Sequence, residues 1–167
     1  ALETLDIALQ QHPRQVNLLL ARGDAQRQAH QVEASLATLD RALSLYPRYT
    51  PAIFAYADAL MTNGHAAQAR QILLAHEQSL GTQVQTYRLL ADAARETGDL
   101  AEAAYQMGTY LAVRGDFGNA LAQLDAGLRL SGIDEQARAR LLAKRKEVRE
   151  ALPKNWRPPP EQRRAAG

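Results

Sequence analysis

Three aspartates stand at one spacing: the step from Asp24 to Asp58 equals the step from Asp58 to Asp92. Charged and apolar partners flank them at three or four positions: Arg27 after Asp24, Phe54 and Met61 around Asp58, Arg88 and Arg95 around Asp92. On a helix, residues three and four apart share a face. Regularly spaced carboxylates are strong acceptors for unpaired N–H groups, and apolar side chains beside them give adaptable contact. Such a set would suit an extended peptide. The same residues can also satisfy one another, because Arg88–Asp92 and Asp92–Arg95 pairs along one solvated helix are each worth a few tenths of a kcal/mol. Both readings are open at this level.

Catalytic chemistry finds less to work with. The histidines, at 12, 30, 65 and 76, are scattered. His76-Glu77 opens like a zinc-binding pair, but a second histidine one turn later is needed on the same face, and that place is held by Leu80. Cysteine is absent, which removes thiolate metal sites and disulfides. No Gly-rich phosphate loop or nucleophile elbow occurs. The residues imply no cofactor and no metal in this chain, and no enzyme within it.

The elements that would position these residues follow from punctuation. The step from Gly98-Asp99 to Gly115-Asp116 leads on to Gly132, and counting backward by it reaches Gly81, Gly64, Pro47, His30 and Pro13. Glycine after the last helical turn and proline just beyond it are the usual helix stops. A helix of about 14 residues with a turn of about 3 fills that step, and two steps make a helix–turn–helix unit of about 34 residues. Leu outnumbers Val and Ile together, which favours helix over sheet. The expected class is all-α, a solenoid of antiparallel helix pairs over residues 1–152 with a Pro-rich tail at 153–167. Helices are expected at 1–12, 16–29, 32–46, 50–63, 66–80, 84–97 and 101–114.

Within this scheme 1–13 repeats 35–47: Leu2, Thr4, Leu5, Asp6, Ala8, Leu9 and Pro13 recur as Leu36, Thr38, Leu39, Asp40, Ala42, Leu43 and Pro47. Residues 1–12 thus read as the second helix of a pair, and the repeat domain starts in mid-repeat. The 16–29 segment is the least regular, since Arg22, Gly23, Gln26 and Gln28 weaken its apolar face, and Gly23 in a helix interior costs about 1 kcal/mol relative to alanine. At the other end, Asp134 is placed to cap a helix running to about 152. Ala137, Leu141, Val148 and Leu152 form its packed stripe and Arg138, Arg140, Lys144, Arg145, Lys146 and Arg149 its charged face. That suits the closing helix of a stack. Residues 1–133 hold 10 Arg and no Lys against 13 acids, whereas 134–167 hold 10 basic residues against 5 acids. Glu147 and Glu150 interrupt the basic face and no aromatics interleave, so neither nucleic acid nor membrane insertion is expected. Asn155-Trp156-Arg157-Pro158-Pro159-Pro160 reads as a polyproline-like tail with Trp156 as a contact anchor.

The residues Tyr87, Leu90, Ala91, Ala94, Gly98, Ala103 and Met107, with Ile53, Tyr56, Ala57, Leu60, Gly64, Ala69 and Leu73 one period earlier, resemble the tetratricopeptide repeat family. The resemblance covers 1–131. Gly115 stands where such a repeat ends in proline, so helix 101–114 is expected to end one repeat and begin the next, which leaves the phase of the repeat ambiguous. In that family Asp24, Asp58 and Asp92 would face a concave groove, with Arg27, Phe54, Met61, Arg88 and Arg95 around them. Family members that hold a C-terminal carboxylate use Lys and Asn at those positions, which this chain lacks.

The order Tyr87-Arg-Leu-Leu-Ala-Asp, Gly98-Asp, Ala101-Glu-Ala-Ala-Tyr, Tyr110-Leu-Ala-Val-Arg-Gly-Asp, Ala120-Leu-Ala-Gln-Leu and Gln136-Ala-Arg-Ala-Arg-Leu is similar to the C-terminal repeats of bacterial M48-type zinc metalloproteases that attend outer-membrane protein assembly. That resemblance implies a periplasmic location, a protease domain upstream and a protein or extended-peptide client. A stand-alone repeat scaffold or co-chaperone module is the alternative.

Overall fold

A computed structural model describes residues 2–153 and 156. Ten helices are present among them, with no strand. They divide into two compact units, Ala1–Thr82 and Gln83–Gly167.

The first unit holds α1 (Leu2–Gln11), α2 (Val16–Gln28), α3 (Val32–Leu45), α4 (Thr50–Thr62), α5 (Ala66–Ala75) and α6 (Glu77–Leu80). Short turns make successive helices antiparallel, and α2 packs against both α3 and α4. Leu19, Ala42 and Ala52 form a buried centre, covered by Leu9, Leu20, Leu45 and Tyr49. The segment expected as one helix over 66–80 is broken at His76, where the backbone leaves the helical region (φ −109°, ψ 15°). The His76-Glu77 pair therefore straddles a helix junction.

Gly23 has a structural reason that propensity alone does not reveal. A Cβ at this position would lie 2.6 Å from Leu39 Cγ. The Ser35 hydroxyl donates to the Gly23 carbonyl at 2.7 Å. Helix axes that approach to ~8–10 Å leave no room for a side chain at the crossing point, so α2 gives up propensity to let Leu39 seat.

The half-period rhythm of stops survives even where the residue type departs from it. Gly64, Gly98, Gly115 and Gly132 have φ between 74° and 81°, and His30 joins them at φ 57°. Behind His30 the Gln31 N–H donates to the Gln26 carbonyl at 2.9 Å, as the Asp99 N–H does to the Ala94 carbonyl at 2.8 Å. These are the bonds of a Schellman stop, which needs one left-handed residue. A side chain disfavours that conformation by ~1–2 kcal/mol. His30→Gly is therefore expected to raise stability by about 0.5–1 kcal/mol, read as a higher urea midpoint with unchanged slope.

The second unit holds α7 (Val84–Glu96), α8 (Leu100–Val113), α9 (Phe117–Leu128) and α10 (Glu135–Glu150). Three aspartates at or near the stops, Asp134 among them as expected, cap the helices that follow. Asp99 accepts from the Glu102 N–H, Asp116 from the Asn119 N–H and Asp134 from the Ala137 N–H, each capping a helix start. Leu141 and Val148 of α10 are buried with Ala104, Ala120 and Leu124. Ala137 and Leu152 of the expected stripe are half-buried.

Helix 101–114 (α8) packs on both of its neighbours along the chain. α8 packs against α7 on one side and against α9 on another, and α10 lies across α8 and α9. Gly108 is the crossing point with α9, since a Cβ there would lie 2.6 Å from Leu124 Cγ. This is the Gly23–Leu39 arrangement again, with the same separation along the chain. α8 thus ends one pair and begins the next.

Candidate functional site

In the first unit, Asp24 and Asp58 occupy α2 and α4, which pack together. Their settings differ. Asp24 is exposed, but Arg27 Nη2 donates to its Oδ1 at 2.6 Å and Gln28 Nε2 to its Oδ2 at 2.7 Å. Asp58 is exposed too, and among the described residues its carboxylate has no ion pair; only its backbone carbonyl is engaged, by the Thr62 hydroxyl at 2.8 Å. Met61, one turn on, is half-buried. Phe54, expected to add apolar contact to the same surface, is 8% exposed. It is a core side chain of α4, and little of its ring is left for a partner to touch.

In the second unit, Asp92 lies on α7 between two arginines. Arg88 Nη1 is 3.5 Å from its Oδ2, and Arg95 forms a closer ion pair with its Oδ1. The pairing along one helix is therefore realised here, and Asp92 is already charge-balanced. Of the three aspartates only Asp58 combines exposure with an unpaired carboxylate.

A second polar constellation, in the first unit, is not evident from residue types alone. Arg22, which stood out only as a blemish on the apolar face of α2, donates from Nε to Asp6 of α1 at 2.7 Å and from Nη1 to Thr38 of α3 at 2.9 Å. Gln26 completes the set. With its amide oxygen toward Arg22 (3.2 Å), its nitrogen donates to Thr38 Oγ1 at 2.7 Å and to the Ala34 carbonyl at 3.0 Å. Gln26 and Thr38 are buried, so the network replaces water for both side chains. A cleft of about 650 Å³ between α1 and α3 opens on it, rimmed by Gln10, Ala37 and Arg41. The half-buried Arg22 charge is balanced by Asp6, which makes the network a tie between three helices rather than a site with spare charge. The signal that could have found it is the spacing Arg22–Gln26–Thr38 taken with Asp6 on the preceding helix, as far before Arg22 as Thr38 lies after it.

The basic helix α10 is less basic than its composition. Arg140 Nη1 meets Glu102 at 2.7 Å, Arg145 Nε meets Asp125 at 2.5 Å, and Lys144 meets Glu147 at 2.6 Å. Arg140 also stacks over the Tyr105 ring, 4.4 Å from its centroid. Burial, the largest single influence, would by itself lower the Arg140 guanidinium, but the carboxylate and the phenol together hold it above its ordinary range. The Arg140 and Arg145 pairs tie α10 to α8 and α9, whereas Lys144–Glu147 lies within α10. Trp156 is half-buried and its backbone N–H donates to the Pro153 carbonyl at 2.8 Å. The proline run after it lies outside the described residues.

Among the described residues no three His, Cys, Asp or Glu side chains gather to hold a metal. No described helix is long and apolar enough to cross a membrane.

Comparison with known proteins agrees with this geometry. Residues 26–82 match the tetratricopeptide repeat family model. No curated protein sequence matches the chain. Among solved structures, a crystal structure of MamA aligns over 99% of this chain and 90% of its own, with a TM-score of 0.66 at 14% identity. MamA residues 41 to the end from Desulfovibrio magneticus RS-1 align over 89% and 82%, with a TM-score of 0.64 at 14% identity. YrrB, described as a TPR protein with an unusual peptide-binding site, aligns over 90% and 95%, with a TM-score of 0.55 at 14% identity. At such identities the likeness establishes the fold: an all-α, tetratricopeptide-like solenoid of helix pairs.

Proposed function

We propose that this chain is the client-binding repeat domain of a periplasmic M48-type zinc metalloprotease engaged in outer-membrane protein quality control. It would hold an extended segment of a client on the α2–α4 face while a separate protease domain supplies the zinc site. The parentage is supported by the similarity of 87–141 to the repeats of that group. The binding site is supported by one observation above the rest: Asp58 offers an exposed carboxylate without an ion pair, with Met61 beside it. An extended segment brings unpaired N–H groups, and a free carboxylate accepts them without first breaking a pair of its own. Asp24 joins once Arg27 or Gln28 swings away. Asp92, held by two arginines, contributes least.

Fluorescence anisotropy with a short labelled strand peptide of an outer-membrane barrel, neutral to basic in charge, tests this. Asp58→Asn is expected to weaken binding about tenfold, ~1.4 kcal/mol, and Asp92→Asn by less than about twofold. Added salt should weaken the parent protein as screening shortens to ~8 Å. Equal affinity of parent and Asp58→Asn at low salt would remove this surface from consideration. The stand-alone scaffold is the other reading, and the reading frame preceding Ala1 separates the two: a His-Glu-x-x-His motif there supports the protease, further repeats without it the scaffold.

A further inference from the structure

The second unit has an open groove where the first unit has a helix. The helix pairs α2–α3 and α7–α8 have identical lengths and are displaced by two full periods: Val16–Gln28 onto Val84–Glu96, and Val32–Leu45 onto Leu100–Val113. In the first unit α4 packs on that pair, and Leu39 and Leu43 of α3 are only 2% and 6% exposed. Their counterparts, Met107 and Leu111, are half-buried, and Leu100 is 49% exposed.

The cause is where α9 goes. Leu124 of α9 seats on Gly108, whose counterpart on α3 is Asp40, an exposed residue. α9 therefore lies further round α8, away from α7, than α4 lies round α3. The gap is a groove of about 560 Å³, with Leu100, Met107 and Leu111 as its floor, Ala91 and Arg95 of α7 on one wall, and Ala122 and Ala126 of α9, flanked by polar Asn119 and Gln123, on the other. Leu100 and Leu111 are about 16 Å apart along the helix, three turns. On a helical wheel of ~100° per residue, this floor is opposite Glu102 and Tyr105, which meet α10. α10 therefore does not reach the groove.

We propose that this groove docks an amphipathic α-helix of a partner protein, laid parallel to α7 in the place that α4 takes on α2 and α3. Ala91, Ala122 and Ala126 admit a helix backbone closely, the apolar floor takes its large side chains, and Arg95, Asn119 and Gln123 at the walls meet its polar flank, the helix-in-groove mode of recognition. The internal template also states the ligand's chemistry. α4 buries Ala52, Ile53, Ala57 and Leu60, so the partner helix presents large apolar residues with alanine or glycine between them. The site is separate from the α2–α4 surface and does not depend on it.

The probe is a synthetic peptide of the α4 sequence, residues 50–63, with an i,i+4 staple replacing the exposed positions 58 and 62 and its helicity verified by circular dichroism. Met61 and Met107 are the only two methionines, so methyl-labelled protein gives one NMR reporter for each surface. Titration is expected to shift the Met107 signal and leave Met61 unmoved, with a dissociation constant below about 100 µM. Ala126 is exposed, so Ala126→Arg should preserve the fold and weaken binding at least tenfold. An unmoved Met107, a shift of Met61 alone, or an affinity untouched by Ala126→Arg would each overturn the proposal. Equal binding of an unstapled, scrambled peptide would overturn its helical specificity. A client that shifts only Met61 would support the α2–α4 surface whatever the result here.

Discussion

Gly108→Ala is expected to destabilise the protein by about 1–3 kcal/mol, although helix propensity alone predicts a gain of about 1 kcal/mol. The two effects oppose each other, so the sign decides which physics governs the position. The added methyl would sit 2.6 Å from Leu124 Cγ and 2.7 Å from one of its Cδ atoms. Leu124 is fully buried, so its branch point cannot swing into solvent, and either α9 moves outward or the leucine leaves its rotamer. Gly23→Ala should behave alike, with Leu39 in the same relation. Urea unfolding of both variants gives the answer, with midpoints falling at constant slope. A higher midpoint in either would mean that the helices separate easily and that the close approach is not what keeps the glycine.

Much of this fold lay open in the sequence because its signals are local. Glycine, proline and aspartate at helix ends act over one turn, so the stops at 64, 98, 115 and 132 and the caps at 99, 116 and 134 were readable without tertiary knowledge. His30 was readable only through the period, since nothing about a histidine announces a left-handed residue. The course of α9 was not readable. Residues 118–130 stand at the α4 offset, yet their packed face is chosen by whether Gly108 or Ala103 lies beneath them, a competition between two faces of α8. Ala103 and Met107, grouped with the packed repeat positions by type, consequently line an open groove.

The candidate site was legible in its residues and less so in their state. The equal spacing of Asp24, Asp58 and Asp92 is a fact of the sequence, but whether a carboxylate is free depends on rotamers of arginines three or four positions away. Those rotamers leave Asp58 open and engage Asp24 and Asp92. Phe54 shows a different limit. Its position one turn from Asp58 places it near that face, yet helix α4 buries most of its circumference, and an apolar ring goes to the drier side. Arg22 is the opposite case, a charge on an apolar face whose partners Asp6 and Thr38 come from two other helices.

Leu124→Ala is expected to have the largest effect of any single substitution here, about 3–5 kcal/mol. Leu124 is fully buried among Ala104, Ala120, Leu141 and Val148, and directly beneath its branch point lies Gly108, which has no side chain to relax into the space. The cavity should therefore stay open, and the melting temperature should fall by about 10 °C. Leu142→Ala is the control, since Leu142 is 48% exposed and its loss should change stability by no more than about 0.5 kcal/mol. The decisive measurement is the double variant. Once Leu124 is alanine, a methyl at Gly108 no longer meets a branch point and instead fills part of the void. Gly108→Ala should then change sign, stabilising the Leu124→Ala protein by about 1 kcal/mol. The coupling between the two positions should be ~2–4 kcal/mol, in the upper part of the range for side chains in direct contact or above it. Additive behaviour would show that the glycine and the leucine do not share one space, and the account of why α9 leaves the α7 side of α8 would fall with it.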